Sequence, residues 1–562
     1  METPQFSIFY KKAKKIDLEM LDSVGEIQHY NPIYSRFFEM DETNYNRIAL
    51  NHKYHIHDLK TVVDDNDKKV EKDIFIKFSP LLDPLNYLRG KYDLEDSAFK
   101  TLPKLGTNTC LPKVLDVNNS SYVDGFFSYL TSMMKDMHGW VHGVEYYGSV
   151  LAIQRKFKYD IVDDLDFLSK SQFFTNNLNK HFTIDEDASI ILREYSGEGS
   201  RTNKKKLSIK DLDIELDVEE VYSETVEEVY SETVDKTETM DKTDVATILT
   251  PSLEYDSGPK EPSDDDSESD DSDSDDSKSD TTQSEESDWE TEDEDEDEGK
   301  DEDEDEDTDD DFEEDEKMFS YLNEFPVQLI FQEKCKGTFD ELIMQRKLKG
   351  DTFVEALLQI ILLLATYQKV FDFTHNDLHT NNIMYVETEE EFLYYRIDGV
   401  CYKVPTNGRI FKLIDYGRAI YRFGGKTFCS DSFAPNGDAA TQYNCEPYFN
   451  EKKPRIDPNP SFDLCRLGCS LYDFVCRDDE VKTPLQKLVD SWCTDDHGKN
   501  VLYKPSGQER YPDFKLYKMI ARTVNNLVPK DQLKLDIFKK YVSEATIYLN
   551  TMIDVDALPN YA

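Results

Sequence analysis

The segment "DFTHNDLHTNNIMY", residues 372–385, concentrates side chains of the kinds that bind ligands or transfer protons. It holds two histidines, two aspartates and three asparagines in fourteen positions, and it follows closely on the longest apolar run of the chain, "ALLQIILLLA" at 356–365. Burying so many polar groups costs free energy unless each one is hydrogen-bonded or holds a ligand. The loop therefore predicts either a binding site or a fully hydrogen-bonded network.

The elements on both sides of this loop are predicted from hydrophobic spacing. Residues 353–370 read as a buried helix, since the apolar run is too short to span a bilayer and contains Gln359. After the loop, "LYYRI" and "VCYKV" flank Asp398-Gly399, a dipeptide typical of a type I′ hairpin turn. The polar loop is thus expected between a core helix and a hairpin.

Two later elements each deliver an acidic residue. An apolar strand in "FKLIDYGRA" (411–419) ends at Asp415. The segment "SFDLCRLGCSLYDF" (461–474) predicts a buried helix with Asp463 near its start. Both acids lie after the polar loop in the order of the chain.

The first 217 residues mix strand-like and helix-like patterns. "DIFIKF" (73–78) predicts a strand that carries Lys77, and apolar residues recur at helical spacing over 121–137. This part of the chain is therefore expected to be globular.

The segment 218–318 differs in character from the rest. It repeats "VEEVYSET" in tandem, and residues 261–316 hold 36 Asp and Glu against 2 Lys, a net charge of −34. The whole chain carries −52, so the remainder carries −18. With so few apolar groups the tract is predicted to be disordered. It is interpreted as a solvated spacer or, alternatively, as a tail that binds basic proteins or accepts phosphate.

Globular structure is expected to resume near residue 319. "FPVQLIFQEKC" (325–335) predicts a strand and "TFDELIMQRKL" (338–348) predicts a helix. Lengthening a loop from about 6 to about 100 residues costs only about 2.5 kcal/mol of closure entropy. The two globular parts are therefore expected to form one fold around the acidic tract.

Composition excludes several classes of protein. No basic face is implied, so direct nucleic-acid binding is not expected. Nine cysteines without a CxxC pair, and an N-terminus without an apolar signal region, favour a reducing, intracellular location. No membrane segment is expected.

The order of these segments resembles the protein-kinase family. Kinase catalytic loops read H-R-D-L-x-x-x-N and the metal-binding turn reads D-F-G; here the segments read "HNDLHTNN" and "DYG". "FIKF" resembles the V-A-I-K strand, and "LIFQEKCKGTFDEL" (329–342) resembles the hinge and the helix after it. The stretches "THNDLHTNN", "DYGRAI" and "QYNCEPYF" (442–449) also resemble divergent serine/threonine kinase-like proteins of large nucleocytoplasmic DNA viruses.

The resemblance implies an α+β fold with two lobes and a long disordered acidic insertion in the small lobe. It implies these boundaries: first part of the N-terminal lobe 1–217, insertion 218–318, end of the N-terminal lobe and hinge 319–345, and helical C-terminal lobe 346–562.

The resemblance also implies roles for particular residues. Asp377 is expected to accept or orient the proton of the substrate hydroxyl, with Lys77 on the α/β-phosphates of ATP. Asn382 and Asp415 are expected to supply oxygen ligands to Mg²⁺. Asp377, Lys77 and Asn382 are thus the candidate catalytic residues, and ATP and Mg²⁺ are the expected cofactors.

Other implied roles concern the hinge and the partner of the lysine. Glu333 and Cys335 are expected at the hinge that binds the nucleotide. For the acidic partner of Lys77 the sequence offers two candidates: Asp124, on the predicted helix, is favoured over Glu95.

The chain departs from the kinase pattern in three places. No glycine lies between Gly25 and Gly90, so the glycine-rich phosphate loop is missing, and residues 47–65 are the candidate for a polar hairpin in its place. Asn376 replaces the arginine of H-R-D, which makes control by activation-loop phosphorylation less expected. His379 stands where serine/threonine kinases have lysine, as in small-molecule and atypical kinases.

The function expected from the sequence is that of an atypical serine/threonine protein kinase that uses Mg-ATP and acts on a protein substrate. The alternatives are a pseudokinase scaffold whose acidic tract recruits basic proteins, and a kinase of a small molecule. If the protein is viral, its expected location is the host-cell cytoplasm or the virion.

Overall fold

The structure, a computed structural model, describes residues 7–16, 23–185, 188, 317–476, 482–512, 514–544 and 552–562. These residues belong to one of the two compact units into which the chain divides, and the other unit, Leu249–Glu316, lies outside them. The predicted disordered tract 218–318 therefore lies outside the described residues, apart from Lys317 and Met318.

Helices and strands occur throughout the residues that the structure describes. The strands are β1 (Tyr10–Lys12), β2 (Val24–Gln28), β3 (Ile48–Leu50), β4 (His55–Asp58), β5 (Thr61–Val63), β6 (Lys69–Glu71), β7 (Ile74–Pro80), β8 (Tyr146–Asp160), β9 (Phe182–Ile184), β10 (Phe319–Glu333), β11 (Gly337–Thr338), β12 (Ile383–Glu387), β13 (Phe392–Ile397), β14 (Val400–Pro405), β15 (Arg409–Leu413), β16 (Ile420–Phe423), β17 (Lys426–Cys429), β18 (Val542–Ser543) and β19 (Met552–Asp554). The α-helices are α1 (Pro84–Leu88), α2 (Pro112–Leu115), α3 (Ser120–His138), α4 (Leu165–Ser169), α5 (Gln172–Asn177), α6 (Phe339–Met344), α7 (Asp351–Phe371), α8 (Phe462–Val475), α9 (Pro484–Trp492), α10 (Lys515–Thr523) and α11 (Pro529–Gln532).

A five-stranded antiparallel sheet organises the first part of the fold. Its order is β2-β8-β10-β7, and β9 pairs with the early part of β10. The middle of β10 is buried without interruption, as expected for an apolar run that is covered on both faces. Its register sets Lys77 of β7 opposite Ile330. The sheet thereby fixes the lysine near one edge of a rigid layer.

Helix α3 contacts β8 and β10 of this sheet and carries Asp124. It begins after Asn119, whose side chain accepts a hydrogen bond from the Ser121 N–H. It ends at Gly139, whose φ of +66° is accessible to glycine without strain. The amphipathic helix predicted over 121–137 is confirmed, and its buried face directs Asp124 into the interior.

The two chain ends that border the undescribed segment lie side by side. Ile184 of β9 pairs with Ser320 of β10. The Asp185 N–H donates to the Phe319 carbonyl at 3.0 Å, and the Phe319 N–H donates to Asp185 Oδ2 at 2.7 Å. The described segments on the two sides of this gap are therefore hydrogen-bonded to each other within one sheet.

Helix α7 forms the apolar centre of the second part of the fold. It is the one helix among the described residues that is long and apolar enough to cross a membrane, but 89% of its most apolar window is buried inside the protein. It ends at Asp372, which has φ +50° and turns the chain into the polar loop. The prediction of a buried helix at 353–370 is confirmed.

A short antiparallel sheet, β11-β12-β15, brings the polar loop next to Asp415. Ile383, where β12 begins, pairs with Leu413, where β15 ends. Because the strands are antiparallel, the loop before β12 and the turn after β15 meet at the same edge. The chain thus joins two polar segments more than thirty residues apart.

The predicted type I′ hairpin is also present, between β13 and β14. Asp398 and Gly399 both have positive φ, 50° and 72°.

Residues 346–562, predicted to be helical, also contain strands β12 to β19, so that prediction is incomplete. Strands of two to six residues are too short for a clear alternation of apolar and polar residues. Hydrophobic spacing therefore predicted only the β13–β14 hairpin and β15 among them. Helices combined with mostly antiparallel sheets agree with the α+β class.

Candidate functional site

Lys77 lies between two carboxylates. Its Nζ is 2.6 Å from Asp124 Oδ2 and 2.9 Å from Asp415 Oδ1. Burial acts to lower the pKa of Lys77, but the two carboxylates outweigh it and hold that pKa above its ordinary value. Of the two acids considered from the sequence, Asp124 makes the ion pair, whereas Glu95 is 88% exposed and lies 3.7 Å from His181.

The two carboxylates that face Lys77 differ in exposure. Asp124 is buried, and its Oδ1 accepts a hydrogen bond from the Tyr416 N–H at 2.9 Å. Burial raises the pKa of Asp124. Half of the Asp415 side chain is exposed, and although burial acts to raise its pKa, attraction to Lys77 lowers it below the ordinary value. Asp124 therefore anchors the lysine, and Asp415 is the ionised group open to a ligand.

The polar loop is held from behind by Asp463 at the start of α8. Its two carboxylate oxygens accept hydrogen bonds from the backbone N–H groups of His375 and Asn376, at 2.8 and 2.9 Å. Asn376 has φ +64°, and its side-chain oxygen accepts a hydrogen bond from the Tyr443 hydroxyl at 2.7 Å. His375 Nε2 lies 3.0 Å from the Ile414 carbonyl. Much of the polarity noted in the sequence is therefore internal bracing, which orients the next residue, Asp377.

Asp377 is held on one side only. Its Oδ1 accepts a hydrogen bond from the Tyr517 hydroxyl at 2.9 Å and lies 3.6 Å from Arg418 Nη1. Among the described residues, none donates a hydrogen bond to its Oδ2. One oxygen of this carboxylate therefore has no hydrogen-bond donor among the described residues, and a ligand would contact it at Oδ2.

Asn382 and Asp415 supply the hard oxygen atoms of the site. Asn382 Nδ2 donates to the Asp377 carbonyl at 2.9 Å, and no described residue donates to its Oδ1. The residues that the structure describes contain no group of three or more His, Cys, Asp or Glu that could hold a metal ion unaided. This donor set fits Mg²⁺, which commonly takes one or two protein oxygens and completes its shell with water and phosphate.

An open cleft of about 250 Å³ brings three of the predicted residues together. Its lining consists of Lys77, Ser79, Pro80, Ser120, Asp377, Asp415, Gly417, Arg418 and Ser432. Asn382 is joined to this cleft through its hydrogen bond to the Asp377 backbone.

Glu333 and Cys335 lie at the end of β10, apart from that lining. The Glu333 carboxylate pairs with the buried Lys412 and lies 3.6 Å from Lys135, so its side chain is already occupied. Burial raises the pKa of the Cys335 thiol to about 11. The backbone N–H and carbonyl of Cys335 bond to no other described residue. At the end of β10, the hydrogen-bonding groups that no described residue pairs with therefore belong to the Cys335 backbone and not to the Glu333 side chain.

A hairpin does form within residues 47–65, but it does not extend the sheet that carries Lys77. Strands β4 and β5 pair with each other and β5 pairs with β6, in a separate three-stranded sheet. Strand β7 is an edge strand of its own sheet. The described residues thus place no glycine-rich hairpin beside β7.

His379 differs in charge from the lysine usual at its position. Burial lowers the pKa of His379, and this effect exceeds the opposing attraction of Asp377. The imidazole is therefore neutral near pH 7. In the cleft, the cation close to Asp377 is Arg418 instead.

Three residues at the site were missed by sequence reasoning: Tyr517, Arg466 and Arg418. Arg466 Nε donates to the Tyr517 hydroxyl at 3.0 Å. Arg466 lies within the quoted helix segment 461–474, but no motif assigned it a role, and Tyr517 lies 140 residues beyond Asp377 with no local signal. Arg418 was present in the quoted "DYGRAI" stretch but was likewise given no role.

Comparison with known proteins gave partial matches only. No protein-family model matches the chain. An uncharacterized protein, 098R, of Invertebrate iridescent virus 6 is 24% identical over 255 residues, covering 42% of this chain and 40% of that protein. The serine/threonine-protein kinase haspin of Bos taurus is 31% identical over 109 residues, covering 18% of this chain and 14% of haspin. These matches are distant and span less than half of each relative, and they point to a kinase-like relationship.

Proposed function

We propose that this protein is an ATP-dependent phosphotransferase with a two-lobed, protein-kinase-like fold, and that it transfers the γ-phosphate of Mg-ATP to a serine or threonine hydroxyl of a protein. The observation that carries the proposal is the convergence of Lys77, Asp377 and Asp415 on one cleft. Phosphoryl transfer depends on positioning and charge neutralisation, and these groups supply both.

Each residue of the cleft has a role in this proposal. Lys77, fixed by Asp124, binds phosphate oxygens of the nucleotide. Asp377 accepts the proton of the acceptor hydroxyl through its free oxygen. Asn382 and Asp415 hold the Mg²⁺, which supplies neutralisation of the phosphate charge when bound.

The nucleotide base is proposed to lie against the Cys335 backbone. Its unpaired N–H and carbonyl match the alternating acceptor and donor atoms of an adenine edge. Glu333 supports this site from within the protein: its N–H donates to the Glu145 carbonyl and its carboxylate pairs with Lys412, and both contacts hold the end of β10 in place.

The direct test is transfer from γ-labelled Mg-ATP to serine, threonine and tyrosine peptide libraries, run beside a panel of small hydroxyl-bearing metabolites. Label on serine or threonine peptides, lost in Asp377→Ala, supports the proposal. Label on small molecules alone would show that the acceptor is a small molecule and not a protein. That result would agree with the alternative of a small-molecule kinase, which His379 suggests. A variant lacking residues 218–318 shows whether that tract accepts phosphate or recruits basic substrates.

A second candidate function is a scaffold that binds partners without catalysis. The observation in its favour is the edge strand β7, beside which no glycine-rich hairpin is described. Thermal unfolding separates the two candidates, because a ligand at 100 times its Kd stabilises the folded state by about 2.7 kcal/mol. A stable protein with no shift in millimolar Mg-ATP would favour the scaffold.

A further inference from the structure

Helix α10 carries a tyrosine, Tyr517, that contacts Asp377, the proposed catalytic base. Tyr517 donates its hydroxyl proton to Asp377 Oδ1 at 2.9 Å, although the two residues are 140 positions apart. Its ring packs against Phe462 and Phe514, with ring centroids 5.9 and 5.2 Å away. The ring is thus held by the helix that also carries Asp463 and by a neighbour on its own segment.

The direction of this hydrogen bond is fixed by Arg466. A guanidinium can only donate, so Arg466 Nε, 3.0 Å from the Tyr517 oxygen, occupies a lone pair of that hydroxyl. The hydroxyl proton is then directed to Asp377, which can accept it there as a carboxylate. Burial and the nearby Asp377 raise the pKa of Tyr517, so the phenol keeps its proton.

The bond occupies only one of the two carboxylate oxygens. Oδ1 takes the Tyr517 proton and lies near Arg418, while Oδ2 accepts from none of the residues that the structure describes. The Asp377 side chain is 28% exposed and lines the cleft.

We infer that Tyr517 is a positioning residue, which acts with Arg466 to hold Oδ1 of Asp377 and to orient the side chain so that Oδ2 receives the acceptor hydroxyl. This inference rests on the proposed phosphotransferase function and adds to it a residue outside the kinase-like motifs.

The test is Tyr517→Phe, which keeps the ring and its packing but removes the hydroxyl. We expect kcat to fall about 10- to 100-fold, as for a misoriented catalytic group, with KM for ATP and the melting temperature unchanged. Tyr503→Phe is the matched control, because Tyr503 donates to both oxygens of Asp473 at 3.1 Å outside the cleft. We expect no change in its kcat.

A double-mutant cycle provides a readout that a purely structural role would not move. Arg466→Gln alone should lower kcat, but in the Tyr517→Phe background it should lower it less than about two-fold, because both residues act through one hydrogen-bond chain. Independent effects of the two changes would overturn the inference.

Two further outcomes separate this inference from the proposed function. An active wild type whose kcat is unchanged or increased in Tyr517→Phe would overturn the inference alone. A folded wild type without any phosphotransfer would contradict the proposed function, and the inference would fall with it.

Discussion

At the scale of single residues, the site depends on a lysine held by one buried and one open carboxylate. Asp124 is buried with Lys77 and with the Tyr416 N–H as partners. Asp124→Ala leaves Lys77 with the half-exposed Asp415 as its remaining carboxylate and leaves the buried Tyr416 N–H without its acceptor, so it should cost about 2 kcal/mol of unfolding free energy. Glu95 is the exposed residue that was the other candidate for the partner of Lys77. Glu95→Ala should change the free energy of unfolding by less than about 0.5 kcal/mol. Urea unfolding of both variants measures the difference, and equal losses would contradict the assignment of Asp124.

A buried histidine predicts how stability depends on pH. Burial lowers the pKa of His142 to about 4, while its ring nitrogens contact the Phe411 carbonyl and the Tyr395 hydroxyl. The unfolded chain takes up this proton near pH 6.5, before the folded state does, so stability should fall as the pH is lowered from 6.5 towards 4. Urea unfolding between pH 7 and pH 4.5 measures the slope. His142→Gln should reduce the slope of unfolding free energy against pH. An unchanged slope would exclude His142 as a cause of this pH dependence.

At the scale of secondary-structure elements, α7 supports the polar loop by packing in the core. Leu363 is fully buried on this helix. Leu363→Ala should cost about 2–5 kcal/mol, because it removes apolar contacts and leaves a cavity. Leu535→Ala, at a position that is 38% exposed, should cost less than about 1 kcal/mol. A Leu363→Ala variant as stable as Leu535→Ala would show that α7 is not a core helix of the folded protein.

The pair β9 and β10 predicts that a large segment can be shortened. Since Asp185 and Phe319 are joined by two hydrogen bonds, a short connection can close the gap between these strands. Replacing residues 218–316 by about six glycine and serine residues should preserve the fold and add up to about 2.5 kcal/mol of stability from reduced loop entropy. Circular dichroism and urea unfolding test this, and a variant that does not fold would contradict the account.

At the scale of the whole molecule, the sequence predicted those parts that have strong local signals. The helix that carries Asp124, the strand that carries Lys77 and the type I′ hairpin all follow from periodicity or turn chemistry. Strand β10 begins six residues before the predicted strand, and α6 ends four residues before the predicted helix, because contacts with neighbouring elements set where they begin and end.

Contacts between distant segments could not be read from the sequence. Tyr517 meets Asp377 only because α8 and α10 pack together, and no spacing rule connects residues 140 positions apart. The separate sheet of β4, β5 and β6 could not be predicted for the same reason. The sequence indicated a polar hairpin within 47–65 but did not indicate which strand it would pair with.

Asp377 is proposed to be the base of a phosphotransfer reaction. The most direct test of this proposal is the steady-state kcat for transfer of the γ-phosphate of Mg-ATP to a hydroxyl substrate, measured for wild type, Asp377→Asn and Asp473→Asn. We expect an active wild type, an Asp377→Asn rate at least about 100-fold lower, and an unchanged Asp473→Asn rate. Equal rates in all three proteins, or no transfer by well-folded wild type, would contradict the proposal.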